Sequence, residues 1–569
     1  MSFDLKSFAE QVRPTPKKSS RRVFNDSVFD AGSPQYIRPE DLFLDIQSRL
    51  FNIKALSTKE LGGIDPSDFK ERWLRNGVSQ VKLQRVGPTI ENENLADSVM
   101  ALLRCPKRPK ERYPTLLPAA PSLGFYKNIK PNLPNFYNDQ FRPALTFADE
   151  TAFGVRIAAL KNCLATGTNA DDSLKQLSFA LLPFLQAAAG AHPTLSAQDG
   201  PLLKNFSVTP SEPLAICQSL ATNLDALIAL EPKLPRIQWT RWLTAMLRLW
   251  LPLFFLKRCA VSASAANAMK NALSSGVVPA PSALSIQLCG SNGLLRGSSE
   301  WLNQLAPIVQ NYVRSRFEFS ILLELSNLVE WLTIQGLDPT KASDTGKIQA
   351  KLDEFEVDLR RATNLSFPNP VGVFDAVRLS MPGDVGPGRL PFDVWLKWLT
   401  SHGQALDALA KLIGANGTID LVERVYAYVR PGYEPLKTGF GKNAYEYVLF
   451  ALGAPRKSER DPEIPDEFNL IFRGEGGRRS RQVMIQPGPQ LLQLLVQLVV
   501  QKGQAPYHEG AKLSDLLDLF ESLHIDFRSN PDDFEGLKSE LLRLGLLQSS
   551  ADAAEAASLS PAYAFSITP

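Results

Sequence analysis

The chain has 569 residues, a formal net charge of +3 and a sequence pI near 8.4. This length exceeds one compact core, and 44% hydrophobic with 21% charged residues is a globular composition, which excludes a disordered scaffold and a uniformly basic nucleic-acid coat. Five scattered cysteines, Cys105, Cys163, Cys217, Cys259 and Cys289, form no C-x-x-C pair, so they exclude paired zinc or redox motifs and read as reduced, buried thiols.

The opening MSFDLKSFAEQ mixes acidic with apolar residues and lacks the basic region and apolar core of a signal peptide, so a cytoplasmic protein is expected. Residues 1–40 form a basic arm. It holds Lys17, Lys18, Arg21 and Arg22, which read either as a solvated coil or as a contact for nucleic acid or a partner. Residues 41–104 recur at helical spacing, as in DLFLDIQSRLFNI and NLADSVMALLRC, and predict a small helical domain. Residues 105–147 hold eight prolines, too many for regular helix, and predict a surface linker. At its start Arg104, Lys107, Arg108, Lys110 and Arg112 cluster, as a charged coil or a second basic contact.

Residues 148–368 predict a central domain of amphipathic helices near 149–166, 172–190, 212–231, 238–257, 261–275, 299–335 and 345–363. No solenoid period returns, which makes the array irregular. Its most apolar stretches, 177–191 and 249–256, are shorter than a spanning helix and contain Pro183 and Pro252, so no membrane insertion is expected. A Pro/Gly-rich connection at 369–390 leads to a helical subdomain at 391–465, with PFDVWLKWLTSHGQALDALAKLIG and TIDLVERVYAYV as helices.

Residues 466–569 form the last predicted domain. Strand-like FNLIFR and RQVMIQ flank Gly474-Glu475-Gly476-Gly477, a hairpin signal, and Arg473, Arg478, Arg479 and Arg481 gather around that turn. Arginines on a glycine-rich turn could grip phosphates or enter a groove, and a solvated turn accounts for them equally well. Three helices follow, at 489–502, 513–524 and 532–544, the third opened by Asn530 and Pro531 and closed by Gly545. This order, with LKSELLRLGLL as third helix and exit, resembles the winged-helix superfamily. The resemblance implies DNA binding through the third helix. Against that, Asp532, Asp533, Glu535 and Glu540 outnumber Lys538 and Arg543 there, and a DNA backbone would repel them. A protein-interaction or structural module is the alternative.

A search for chemistry finds no motif. The four histidines, His192, His402, His508 and His524, have no metal-ligand spacing, and His524 reads as a cation closing a helix. Gly439-Phe440-Gly441-Lys442-Asn443 lacks both the preceding glycine and the hydroxyl of a phosphate loop, and reads as a helix-start turn. The acidic run Asp353, Glu354, Glu356 and Asp358 reads as a solvated face, and Trp239, Trp242, Trp250, Trp395 and Trp398 as core.

These readings predict a mainly α chain, a multi-domain irregular helical array ending in a β-hairpin and winged-helix-like module, without cofactor or metal. In general character it resembles accessory subunits of bacterial DNA-processing or anti-phage defence systems. The function expected is a non-catalytic adaptor or assembly subunit that binds other protein subunits and, as a further partner, DNA. Two alternatives are a nucleic-acid-binding protein acting through the basic hairpin, and an enzyme whose active site is assembled from residues distant in sequence.

Overall fold

The apolar run Leu249–Leu256 marks the centre of the molecule, because a helix that is apolar all round has to be enclosed by others. In the computed structural model it lies in a helix of 40 residues, Arg236–Ser275, about 60 Å long at 1.5 Å per residue. The described residues are 42, 46, 50, 136–165, 215–234, 236–275, 295–296, 301–350, 400–429, 434, 436–437, 439–453, 468–473, 483–503, 510–548 and 554–562. Helix accounts for 79% of them, so the chain is mainly α.

In chain order, α1 is Arg142–Ala148, α2 Glu150–Ala165, α3 Ala215–Leu230, α4 Arg236–Ser275 and α5 Trp301–Ile334. Helices α6 (Gly403–Leu412), α7 (Thr418–Val429) and α8 (Gly439–Ala451) follow, then α9 (Pro489–Gly503), α10 (Leu513–Ser522) and α11 (Pro531–Arg543). The strands are short. β1 (Leu295–Arg296) pairs in parallel with β4 (Ile525–Asp526), and β2 (Ile471–Arg473) pairs antiparallel with β3 (Val483–Ile485).

Helix α4 packs along α5 and is flanked by α3, α7, α8 and α9, which encloses its apolar surface. Trp239, Trp242 and Trp250 are fully buried, as the reading of them as core requires, while Trp395 and Trp398 lie outside the described residues. Pro252 sits inside α4 and Pro307 inside α5, each leaving one carbonyl a turn earlier without its helical amide. The break predicted near 258–260 does not occur. Arg258, Cys259 and Ala260 include no Gly or Pro, and continuous packing against α5 carries the helix through to Ser275.

The end of the predicted linker is also different. Tyr137–Phe141 forms a π turn that runs into α1, with Phe136, Phe141, Ala144 and Leu145 buried. Pro143 is tolerated because it falls in the first helical turn, where its missing amide would have no partner. Leu42, Ile46 and Leu50, each one turn apart, are helical and buried in the same core.

Buried contacts cross the positions 391 and 466 at which the sequence divides. The Tyr447 hydroxyl on α8 donates to Gln140 Oε1 at 2.6 Å, and burial raises the Tyr447 pKa well above the ordinary tyrosine value. Arg248 on α4 donates to Asn469 Oδ1 at 2.8 Å, just before β2. One apolar core runs from Leu42 to Leu559. No helix among the described residues is long and apolar enough to cross a membrane.

Candidate functional site

The most distinctive local architecture lies at 489–562, where two isolated antiparallel bridges close over two helices. Leu513 donates its amide to the Ala557 carbonyl and Leu559 to that of Ala511, while Gln548 donates to Ser558 and Ser560 to Leu546. Residues 557–560 thus lie between 511–513 and 546–548, bridged antiparallel on both sides. Beneath them α10 contributes Leu513, Leu516, Leu517 and Phe520, and α11 contributes Leu537 and Leu541. Phe520 meets Phe527 edge-on at 4.8 Å between ring centres.

Helix α11 starts and stops as its sequence dictates. Asn530 accepts the Asp532 amide at 3.1 Å, Pro531 takes the first turn, and Gly545 adopts φ +69° just beyond the last turn. With Leu537 and Leu541 turned inward, Asp532, Glu535, Ser539 and Leu542 form the outer stripe. Leu542 is 39% exposed. Both cations of this helix are held by its own acids: Arg543 pairs with Glu540 at 2.5 Å and Lys538 with Glu535 at 3.7 Å.

Arg528, in the turn between α10 and α11, ties the module together. It reaches Glu521 at 2.5 Å, Asp518 at 2.9 Å and Glu555 at 3.1 Å, and also bonds the Ser514 carbonyl. Burial works against its charge, but the hydrogen bonds to Glu521, Glu555 and Asp518 outweigh it and hold the guanidinium pKa above its ordinary value.

The module rests on α3. Ser522 Oγ lies 2.8 Å from Ser219 Oγ, which also takes hydrogen bonds from Trp250 Nε1 and Asn223 Nδ2 at 3.2 Å. Two residues on, α10 having ended at Ser522, His524 turns the chain with φ +60° and buries its ring. It does not act as the helix-closing cation that its position suggests. Burial, with the nearby Lys257 charge, depresses its pKa to about 4, so the ring is neutral at neutral pH.

A second cluster joins the far end of α4 to α5. Glu318, 2% exposed, binds Lys270 of α4 and Arg314 of its own helix, and Arg314 continues to Glu423 of α7 at 3.6 Å. Lys270 and Glu318 border a cavity of about 10 Å³, room for at most one water, so this is an ion-pair junction centred on the buried Glu318 and admits no substrate. Arg314 and Glu318 are legible as an i,i+4 pair. Lys270, 48 residues away, is brought in only by the packing of α4 on α5.

The arginines proposed from sequence are scarcely touched by this geometry. Arg473 occupies the last described rung of the β2–β3 pair, opposite Val483. Arg478, Arg479 and Arg481, and likewise Lys17, Lys18, Arg21, Arg22, Arg104, Lys107, Arg108 and Lys110, lie outside the described residues. Gly439 opens α8 with φ +63°, consistent with the helix-start reading of its motif. Among the described residues no three His, Cys, Asp or Glu side chains converge as metal ligands would. No family model, curated protein or solved structure matches this chain.

Proposed function

We propose that this chain is a non-catalytic assembly subunit that binds partner proteins, and that residues 489–562 are a winged helix serving as one of its docking modules. Three successive helices, α9, α10 and α11, with β4 between the last two and single antiparallel bridges joining Lys512 to Ser558 and Leu547 to Leu559, support the winged-helix reading. The observation that carries the choice of protein over DNA is the state of α11. A recognition helix needs free cations or amides toward the duplex, whereas here four acids face two cations and both cations are engaged by Glu535 and Glu540. An exposed Leu542 on the same stripe suits a protein surface better than a phosphate backbone.

DNA binding through the basic hairpin is the second reading. It is favoured by the antiparallel β2–β3 pair, which sets Arg473 at the edge of the segment carrying Arg478, Arg479 and Arg481. The likeness to accessory subunits of DNA-processing or anti-phage defence complexes accommodates either reading.

Fluorescence anisotropy with labelled single- and double-stranded DNA and RNA, across a salt series, separates the two. The protein-docking reading expects no binding with a steep salt slope. Affinity that falls by orders of magnitude between 50 and 200 mM salt, roughly as phosphate neutralisation dictates, overturns it. A flattened slope in the Arg478→Ala, Arg479→Ala, Arg481→Ala variant would then locate the contact in the hairpin.

A further inference from the structure

Helix α11 turns Leu537 and Leu541 inward and leaves Asp532, Glu535, Gly536, Ser539 and Leu542 exposed, a stripe at helical spacing. At 1.5 Å per residue, Asp532 and Leu542 lie about 15 Å apart along the axis. Between them the stripe is shallow. A Cβ added at Gly536 would meet nothing within 4 Å, and Ser539 is small. Glycine weakens a helix interior, and no described neighbour fills the room it leaves. The face therefore has an acidic end, a middle that another backbone can approach closely, and an exposed leucine at its far end.

We propose that the chain's own basic arm covers this stripe, with Lys18 and Arg21 against Asp532 and Glu535 and with Phe24 on Leu542. The inference rests on the reading of α11 as a protein-docking face, and makes the arm the occupant that a partner has to displace.

Charge selects the arm. Residues 489–562 carry eleven acids against five cations, whereas residues 11–25 carry five cations and no acid. The other two basic stretches are each interrupted by an acid, Glu111 in 104–112 and Glu475 in 473–481. On α11, Lys538 stands 3.7 Å from Glu535, beyond hydrogen-bond range, and no described cation pairs with Asp532.

Length agrees with charge. About five extended residues span the roughly 15 Å of the stripe. Lys18 and Arg21 precede Phe24 by six and three positions, which brackets that span. Leu42 is buried in the common core, and the chain from Leu42 back to Phe24 can extend up to about 60 Å, the length of α4. A flexible tether holds its end at an effective concentration on the order of millimolar, so a contact that is weak between separate molecules suffices to seat the arm.

Fluorescence anisotropy at low salt, with a labelled peptide of residues 11–25, tests this. The full chain carrying Lys17→Glu, Lys18→Glu, Arg21→Glu and Arg22→Glu cannot seat its own arm, and should bind the peptide at least about tenfold more tightly than the unaltered chain. In that vacated chain, Asp532→Asn with Glu535→Gln should weaken the peptide about five- to tenfold, and Leu542→Ser severalfold. Gly536→Gln should weaken it as well while leaving the melting temperature unchanged or raised, because glutamine suits a helix better than glycine. Lack of peptide binding to the vacated chain overturns the proposal, as does equal binding to both chains or binding unmoved by the α11 substitutions. A dimer in light scattering that the arm reversal dissolves also overturns it, by seating the arm on a second copy. Each of these outcomes rejects the arm as occupant, whereas DNA affinity with a steep salt slope rejects α11 as a protein-docking face.

Discussion

Arg528 shows how one side chain can organise a module whose sequence gives no hint of it. Its acidic partners come from α10 and from residue 555, some thirty positions later, and only the folded turn brings them within reach of one guanidinium. Charge-assisted bonds to three partly exposed carboxylates form a network, which stabilises more than an isolated surface pair. Arg528→Ala should destabilise the chain by about 1–2 kcal/mol, measured by urea unfolding, and the loss should shrink at high salt. A loss below about 0.3 kcal/mol would show that the network contributes little beyond its geometry. His524 carries the same lesson. Its place after a helix was legible, but its neutrality follows from burial and from Lys257, a residue on a different helix.

At the scale of elements, local signals served best where they were strong. Asn530, Pro531 and Gly545 bracket α11 as read, and Gly439 opens α8. Helix α10 stops at Ser522 rather than running to His524, because the chain must reverse there to reach β4. The supposed break in α4 failed for the opposite reason: Arg258, Cys259 and Ala260 hold no Gly or Pro to stop a helix, and contact with α5 carries it through. The orientation of α11 gives a direct check. Leu541→Ala should cost about 2–5 kcal/mol by leaving a cavity, whereas its exposed neighbour Leu542→Ala should change stability by less than about 0.5 kcal/mol. Equal losses in denaturant melts would mean that the buried and solvent faces are misassigned, and with them the proposed docking stripe.

On the scale of the whole molecule, the C-terminal module shares the core of the helical array. Its helices α9 and α10 rest on α3, so removing residues 489–569 uncovers apolar side chains of α3 and α4. The truncated chain is expected to melt several degrees lower and to aggregate, followed by circular dichroism and light scattering. An unchanged melting temperature would make the module an independent appendage. The sequence by itself determined the class: helical periodicity, apolar runs too short for a membrane, buried tryptophans and the caps of individual helices are local properties, written in spacings of three and four residues. Only the tertiary structure decided that Lys270 reaches Glu318, that Arg528 gathers three acids and that His524 is buried near Lys257. Those facts depend on which elements pack together, and packing joins residues tens to hundreds of positions apart, a distance at which no periodicity along the chain carries information.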